Sequence, residues 1–345
     1  MKKGNKFGTH RVISPKGLLP QPAEKIDNTM EIYDNEILID VQTLNIDSAS
    51  FTQIKGQAGN DVDKIKEIML GIVAKRGKHH NPVTGSGGML IGTVKEIGDA
   101  LEGKTDLEVG DKIATLVSLS LTPLNIEEII EVRKDIDQVD IKGQAILFES
   151  GIYAKLPTDI PENLALSVLD VAGAPAQTRK LVKKGDTVLV VGGAGKSGML
   201  CLYEARKQAG PDANIICLAH NESSMQRAKD MGFANSFILA DATNSVDVYE
   251  KVSEITNGEM CDVTINCVNI PDTEMSCILA TKADGVIYFF SMATSFTAAA
   301  LGAEGVGMDT MMIIGNGYAR NHADISLEII RESEIIRKVY TDLYA

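Results

Sequence analysis

Residues 187–203 read TVLVVGGAGKSGMLCLY: a short apolar run, a cluster of glycines, then a stretch with helical spacing. Val188, Val190 and Val191 make the first part a buried β-strand, and the last part opens a helix. Gly193, Gly195 and Gly198 between them give the spacing G-x-G-x-x-G. Alone that pattern is weak; between a strand and a helix it is a dinucleotide fingerprint. Its glycines allow a tight turn and bring backbone N–H groups close to a diphosphate at the positive end of the helix. Gly195-Lys196-Ser197 also suggests a nucleoside-triphosphate loop. That loop needs a glycine five residues before Gly195, and the position holds Val190, so the spacing rejects it. Gly193, Gly195, Lys196, Ser197 and Gly198 are the candidate diphosphate-binding residues.

Downstream, apolar strands alternate with helical stretches: NIICLA then SSMQRAKDM, DVTINCV then DTEMSCILATKA, GVIYFFS, and finally TMMIIG. Strands apolar on both faces and separated by helices predict a doubly wound α/β domain with a parallel sheet. A single closing helix is expected in ADISLEIIRESEIIRKVYTDLYA, with Ile325, Ile329, Ile330 and Ile336 on its apolar side. An acid at the end of the second strand would grasp the ribose of NAD. Ala219 stands there instead, followed by His220 and Asn221, so NAD and NADP both stay open. Cys267, Val268 and Asn269 after the fourth strand, and Ser291 after the fifth, are the further cofactor candidates.

The first 150 or so residues read differently, as short strands joined by turns. In EILIDVQTL, Ile37, Ile39 and Val41 alternate with Leu38 and Asp40, the period of a half-buried strand. One helix interrupts: Ile65, Ile68, Met69, Ile72 and Val73 recur at helical spacing. NIDSAS reads as a turn, or as a loop bearing substrate contacts.

A chain of 345 residues suggests about two domains. Its 44% hydrophobic and 23% charged residues are those of an ordinary globular protein. A net charge of −13 without a basic run argues against nucleic acid or an anionic membrane as partner. The apolar runs are too short for a membrane span, and a cytoplasmic address is expected. Five cysteines in the second half, without C-x-x-C spacing, read as small buried hydrophobes rather than disulfides or a zinc site.

GGMLIGTVKEIG (87–98), LEVGDKIATL (107–116), YAKLPTDIPENLA (153–165) and VLVVGGAGKSG (188–198), in that order, resemble the medium-chain dehydrogenase/reductase superfamily. The resemblance implies a GroES-like, β-rich catalytic domain over 1–155 and 316–345 and a Rossmann domain over 156–315, in a homodimer. The zinc-dependent branch reads G-H-E-x-x-G-x-V-x-x-V-G in the first stretch. This sequence keeps Gly87, Gly92 and Gly98 but carries Gly88 and Met89 at the histidine and glutamate positions. No cysteine precedes Cys201, so that branch's first ligand and its four-cysteine lobe are missing as well. A zinc-free enzyme is expected. A metal moved to His79 and His80 is disfavoured, since neighbours in an extended segment point to opposite sides.

GTHRVISPKGLLPQPAEKIDN (8–28), LIDVQTLNIDSASFTQI (38–54) and NPVTGSGGMLIGTVKEIG (81–98) more closely resemble the dehydrogenases of bacterial lysine fermentation that act on 3,5-diaminohexanoate. That implies NAD-dependent oxidative deamination of (3S,5S)-3,5-diaminohexanoate to 5-amino-3-oxohexanoate with release of ammonium. The rivals are a zinc-free quinone or enoyl reductase and a non-catalytic nucleotide-binding protein of the same fold. The superfamily builds its substrate cleft from three places. The first offers Asp47, Ser48, Ser50 and Thr52, and the second His79, His80, Thr84 and Ser86. The third, a return segment, offers Asn316, Tyr318, Arg320 and His322. Asp47, Ser50, His79 and Ser86 are the catalytic candidates; Ser48, Thr52, Tyr318 and Arg320 are the substrate-binding ones. Asp47 suits an ammonium, a histidine suits base chemistry near neutral pH, and Arg320 suits a carboxylate.

Overall fold

The computed structural model describes residues 1–315 and 317–345; Asn316, a candidate above, lies outside the described residues. The chain divides into two compact units, Met1–Glu162 and Asn163–Ala345.

In the first unit β1 (Val12–Ser14) and β2 (Lys25–Ile26) form a small antiparallel pair. A six-stranded antiparallel sheet holds β3 (Glu36–Ile46), β4 (Gly88–Ile97), β5 (Lys112–Thr115), β6 (Leu124–Arg133), β7 (Gln138–Phe148) and β8 (Tyr153–Lys155). Their order is β6-β7-β3-β4-β5-β8. The expected alternation in β3 holds for Ile37, Ile39 and Val41, which enter the core. A register shift between Val41 and Thr43, against both neighbouring strands, resets the phase so that Leu44 and Ile46 point inward too. Leu38, on the other face, packs with Ile32, Ile146 and Phe148.

Helix α1 (Ser48–Ala58) corrects the reading of NIDSAS as a turn or loop. Asp47 is its N-cap residue, and Phe51, Ile54 and Ala58 form the buried stripe that docks it. Helix α2 (Val62–Arg76) is the expected one. Asp61 caps it by accepting from the N–H groups of Asp63 and Lys64, and Gly77 ends it at φ 73°. The N-terminal segment is pinned by a buried ion pair that sequence reading missed. Arg11 donates through Nε and Nη2 to the two Glu36 oxygens at 2.7 and 2.6 Å, and His10 Nε2 lies 2.8 Å from Glu36 Oε1. Burial opposes ionisation of Glu36, but the Arg11 and His10 contacts prevail and hold its carboxyl down to about 2.

The second unit begins with α3 (Glu162–Leu169) and α4 (Gly173–Leu181) and then alternates strand and helix. In order come β9 (Val188–Val191), α5 (Lys196–Ala209), β10 (Ile215–Ala219), α6 (Glu222–Met231), β11 (Ser236–Leu239), α7 (Ser245–Thr256), β12 (Cys261–Asn266), α8 (Glu274–Ala280), β13 (Thr281–Phe289), α9 (Phe296–Val306) and β14 (Met311–Ile314). The strands pair in parallel in the order β11-β10-β9-β12-β13-β14. Order reverses beside β9, so the crevice at its carboxyl end is the topological switch point where such folds bind ligands.

Two differences concern the C-terminus. The single closing helix is two, α10 (His322–Glu332) and α11 (Glu334–Tyr344), because Ser333 leaves helical geometry and its Oγ accepts from Ile336 N–H. The segment after 316, expected with the first domain, groups with the second unit. Arg179 on α4 explains why: it donates twice to the buried Glu204 of α5, at 3.0 and 2.6 Å, and once to Glu328 of α10 at 2.9 Å. Ser326 Oγ also donates to Ala172 O. The cysteines are free, and all are buried but the half-buried Cys267.

Candidate active site

Each unit carries its own group of candidate residues. In the second unit the chain leaves β9 through Gly192, whose N–H donates to Leu218 O at 2.9 Å, and Gly195 N–H closes the turn onto Gly192 O at 2.9 Å. Gly195 is the N-cap of α5 and supplies no side-chain acceptor, so the first N–H groups of the helix face an open cradle. A Cβ on Gly198 would stand 2.1 Å from Gly192 O and 2.7 Å from Gly193 Cα, so only glycine lets helix and strand come this close. The cradle fits the diphosphate of a dinucleotide. Lys196, a candidate above, has its ammonium paired with Asp170 at 2.7 Å.

At the end of β10, His220 is exposed and its Nε2 lies 2.7 Å from Asn221 Nδ2. Asn221 Oδ1 caps α6 by accepting from Ser224 N–H at 2.8 Å, which gives that residue a structural task. A residue not anticipated is Arg227 on α6, whose Nη1 donates to Ala194 O in the glycine loop at 3.0 Å. Past β12, Cys267 N–H donates to Val191 O at 3.0 Å, and Asn269 is exposed. Val268 stands over the glycine turn, with Cγ2 2.6 Å from where a Cβ on Gly192 would be. The organiser of this region is the buried Asn266, also not anticipated. Its amide donates to Thr273 Oγ1 at 2.8 Å and accepts from Val268 N–H at 3.1 Å, while its carbonyl receives the N–H groups of Phe290 and Ser291. Ser291 is buried, and its Oγ accepts from Ala293 N–H.

In the first unit α1 and the loop before β4 bring three hydroxyls together. Ser50 Oγ lies 2.5 Å from Thr84 Oγ1 and 2.6 Å from Ser86 Oγ, and Thr84 and Ser86 are 3.2 Å apart. Ser50 is fully buried, Ser86 half-buried and Thr84 exposed, so the cluster opens to solvent on one side. Asn81, which sequence reading passed over, builds the loop: its Oδ1 accepts from Val83 and Thr84 N–H, and its Nδ2 reaches Gln53 Oε1 at 2.8 Å. Three rotatable O–H groups in mutual contact can both donate to and accept from a bound amine or carboxylate.

The other candidates of this unit fare differently. Asp47 is exposed at the start of α1. Ser48 donates its hydroxyl to Asp137 Oδ2 at 2.7 Å and so ties α1 to the β6–β7 turn. Thr52 is exposed on α1. His79, a catalytic candidate above, is completely buried, and burial pushes its imidazole down to about 4. His80 is half-buried and is lowered to about 4 by burial and by the Lys78 and Arg76 charges. Lys78 is buried as well: its ammonium donates to Pro20 O and Gln21 O at 2.6 and 2.8 Å, and burial lowers it to about 8. In the second unit Tyr318 is exposed with its ring 5.1 Å from that of the buried His322, and Arg320 is exposed.

Gly88, at the histidine position of the zinc-dependent branch, has φ 109°, and a Cβ there would lie 2.1 Å from Asn45 O. The backbone has closed over the place where that ligand would start. Among the described residues no group of three or more His, Cys, Asp or Glu side chains could hold a metal ion.

A family model described as the L-erythro-3,5-diaminohexanoate dehydrogenase N-terminal domain matches residues 10–157. One described as a zinc-binding dehydrogenase matches residues 198–316. The L-erythro-3,5-diaminohexanoate dehydrogenase of Acetoanaerobium sticklandii is 63% identical over 342 residues, covering 99% of each chain. The chain belongs to the L-erythro-3,5-diaminohexanoate dehydrogenase family. The Fusobacterium nucleatum protein of the same name is 61% identical and covers 100% of each chain. Among solved structures, mycobacterial Rv1454c complexed with NADPH matches at a TM-score of 0.59 and 16% identity, over 92% of this chain and 91% of that one. Escherichia coli quinone oxidoreductase complexed with NADPH gives 0.50 and 16%, over 90% and 81%. These likenesses and the two sheets establish the medium-chain dehydrogenase/reductase architecture. The chain is thus a member of an oxidoreductase family.

Proposed function

We propose that this diaminohexanoate dehydrogenase family member oxidatively deaminates (3S,5S)-3,5-diaminohexanoate to 5-amino-3-oxohexanoate, releasing ammonium, as a step of lysine fermentation in the cytoplasm. The observation that carries this is full-length identity of 61–63% to two dehydrogenases named for that substrate. A nicotinamide dinucleotide, when bound, supplies the hydride acceptor. The glycine loop from Gly193 to Gly198 would hold its diphosphate by backbone N–H groups, and Val268 and Ser291 would border it. NAD⁺ is the proposed oxidant, with NADP⁺ tolerated, because Ala219 leaves no carboxylate to repel a 2′-phosphate.

The remaining tasks fall to side chains. Carbon 3 can release hydride only when its nitrogen is neutral, so the substrate must lose an ammonium proton to solvent on binding, and one water must then add to the resulting iminium carbon to give the ketone and free ammonium. We assign the hydroxyls of Ser50, Thr84 and Ser86 to the substrate's polar groups, the buried Ser50 keeping the other two in place. Asp47 and the exposed Thr52, Tyr318 and Arg320 remain candidates for the distal ammonium and the carboxylate. His79, buried and neutral, is assigned to shaping the loop rather than to proton transfer. A homodimer through the edge strand β14, where Met311 and Ile314 are exposed, completes the proposal.

The test supplies NAD⁺ or NADP⁺ with the diamino acid, or the reduced cofactor with a quinone, and follows the cofactor's absorbance. Cofactor reduction with the diamino acid and none of its oxidation with a quinone is the expected pattern. The reverse pattern would move the chain to the quinone reductases.

A further inference from the structure

The glycine loop is held from behind by groups that no part of the proposed chemistry uses. Tyr340 of α11 is completely buried, and its hydroxyl donates to Lys196 O, the carbonyl of the first residue of α5. Arg227 of α6 donates to Ala194 O at 3.0 Å. Tyr344, one turn beyond Tyr340 with ring centroids 5.2 Å apart, lies 5.8 Å from the Lys196 ammonium, which is itself fixed by Asp170 at 2.7 Å. Two carbonyls of the loop are therefore anchored on its far side by donors from α6 and α11.

A carbonyl and the N–H of the next residue share one rigid plane and point in opposite directions. Anchoring Lys196 O thus sets the direction of Ser197 N–H, one of the first-turn donors left without a side-chain cap. We propose that Tyr340 is a positioning residue for dinucleotide binding, aiming the first turn of α5 at the diphosphate, and that the C-terminal helix is in this way part of the cofactor site. The inference rests on the dinucleotide-binding role assigned to the glycine loop.

The experiment compares Tyr340→Phe with Tyr203→Phe in the full-length enzyme. Tyr203, also on α5, donates its hydroxyl to Glu332 Oε2 at 2.7 Å, so its loss removes a similar hydrogen bond between α5 and the C-terminal region away from the loop. Tyr340→Phe keeps the ring and is expected to raise the cofactor Kd and KM roughly threefold to tenfold, the range of one net hydrogen bond. KM for the diamino acid and kcat are expected to stay near wild type, and Tyr203→Phe to leave cofactor binding unchanged. Equal cofactor affinity in Tyr340→Phe and wild type, or an equal loss in Tyr203→Phe, would overturn the proposal. Wild-type enzyme that binds no dinucleotide would instead overturn the assignment of the glycine loop.

Discussion

Replacing Gly88 by alanine should be among the costliest single-methyl additions in this chain. The residue sits at φ 109°, where an L side chain is strained, and its Cβ would stand 2.1 Å from Asn45 O, 2.9 Å from Asp47 N and 2.9 Å from Ile46 Cα. All three atoms are backbone of β3 or its exit, so no side chain can swing aside. Relief requires the start of β4 to move, which breaks its pairing with Ile46 and the 2.8 Å bond from Leu119 N–H to Gly88 O. Backbone strain of about 1–3 kcal/mol and one or two lost hydrogen bonds at about 1 kcal/mol each sum to roughly 2–5 kcal/mol. The control is Gly103→Ala, at φ 69° with nothing within 4 Å, which carries the backbone strain without the contacts. Urea unfolding of both variants separates the two terms. Gly88→Ala as stable as Gly103→Ala would refute the claim that the backbone has closed over the old ligand position. The same reasoning predicts that Gly88→His with Met89→Glu fails to restore zinc binding, as read by metal content.

Other outcomes follow from the same geometry. Glu36→Gln should cost about 3–5 kcal/mol in urea unfolding, because it strands the Arg11 guanidinium, 1% exposed, without its carboxylate; a loss under about 1 kcal/mol would mean the pair is solvated. His79 stays neutral in the folded chain down to about pH 4, whereas the unfolded chain takes up the proton near its ordinary 6.5. The His79 contribution to stability should therefore be complete above about pH 6.5 and fall by on the order of 3 kcal/mol as pH drops to about 4. A His79→Leu variant followed by thermal melts across that range should lose about 3 kcal/mol of the pH dependence and keep the part contributed by His80, likewise lowered to about 4; an unchanged slope would assign it elsewhere. Ser86→Ala should lower kcat/KM for the diamino acid about tenfold with cofactor KM unchanged, and wild-type kinetics would remove the hydroxyl cluster from the substrate site.

Much of the fold was legible because its signals are local. TVLVV, NIICLA and DVTINCV are apolar on both faces, and a glycine fingerprint between strand and helix has few other uses. The first unit was legible in β3 and α2, where period and caps agree. Helix α1 was not: its buried apolar stripe is only Phe51, Ile54 and Ala58, set among serine, threonine, glutamine and glycine, and Asp47-Ser48 looks like a turn when it is a helix start. Ser333 likewise hides a break inside a continuous helical pattern. In the site, Ser50, Thr84 and Ser86 could be named but not brought together, since 34 and 36 residues separate Ser50 from its partners. Asn81, Asn266, Arg227 and Tyr340 act through partners that no spacing rule reveals. The burial of His79 depends on a tertiary cover that its neighbours Lys78 and His80 disguise as a polar surface.

In the proposed reaction hydride leaves carbon 3 of a neutral amine directly to the nicotinamide. Supplying 3,5-diaminohexanoate deuterated at carbon 3, and analysing the reduced cofactor by mass spectrometry together with ammonium, tests it in one measurement. One deuterium on each reduced cofactor and one ammonium for each are expected. Unlabelled reduced cofactor, or cofactor reduction without ammonium, would contradict it.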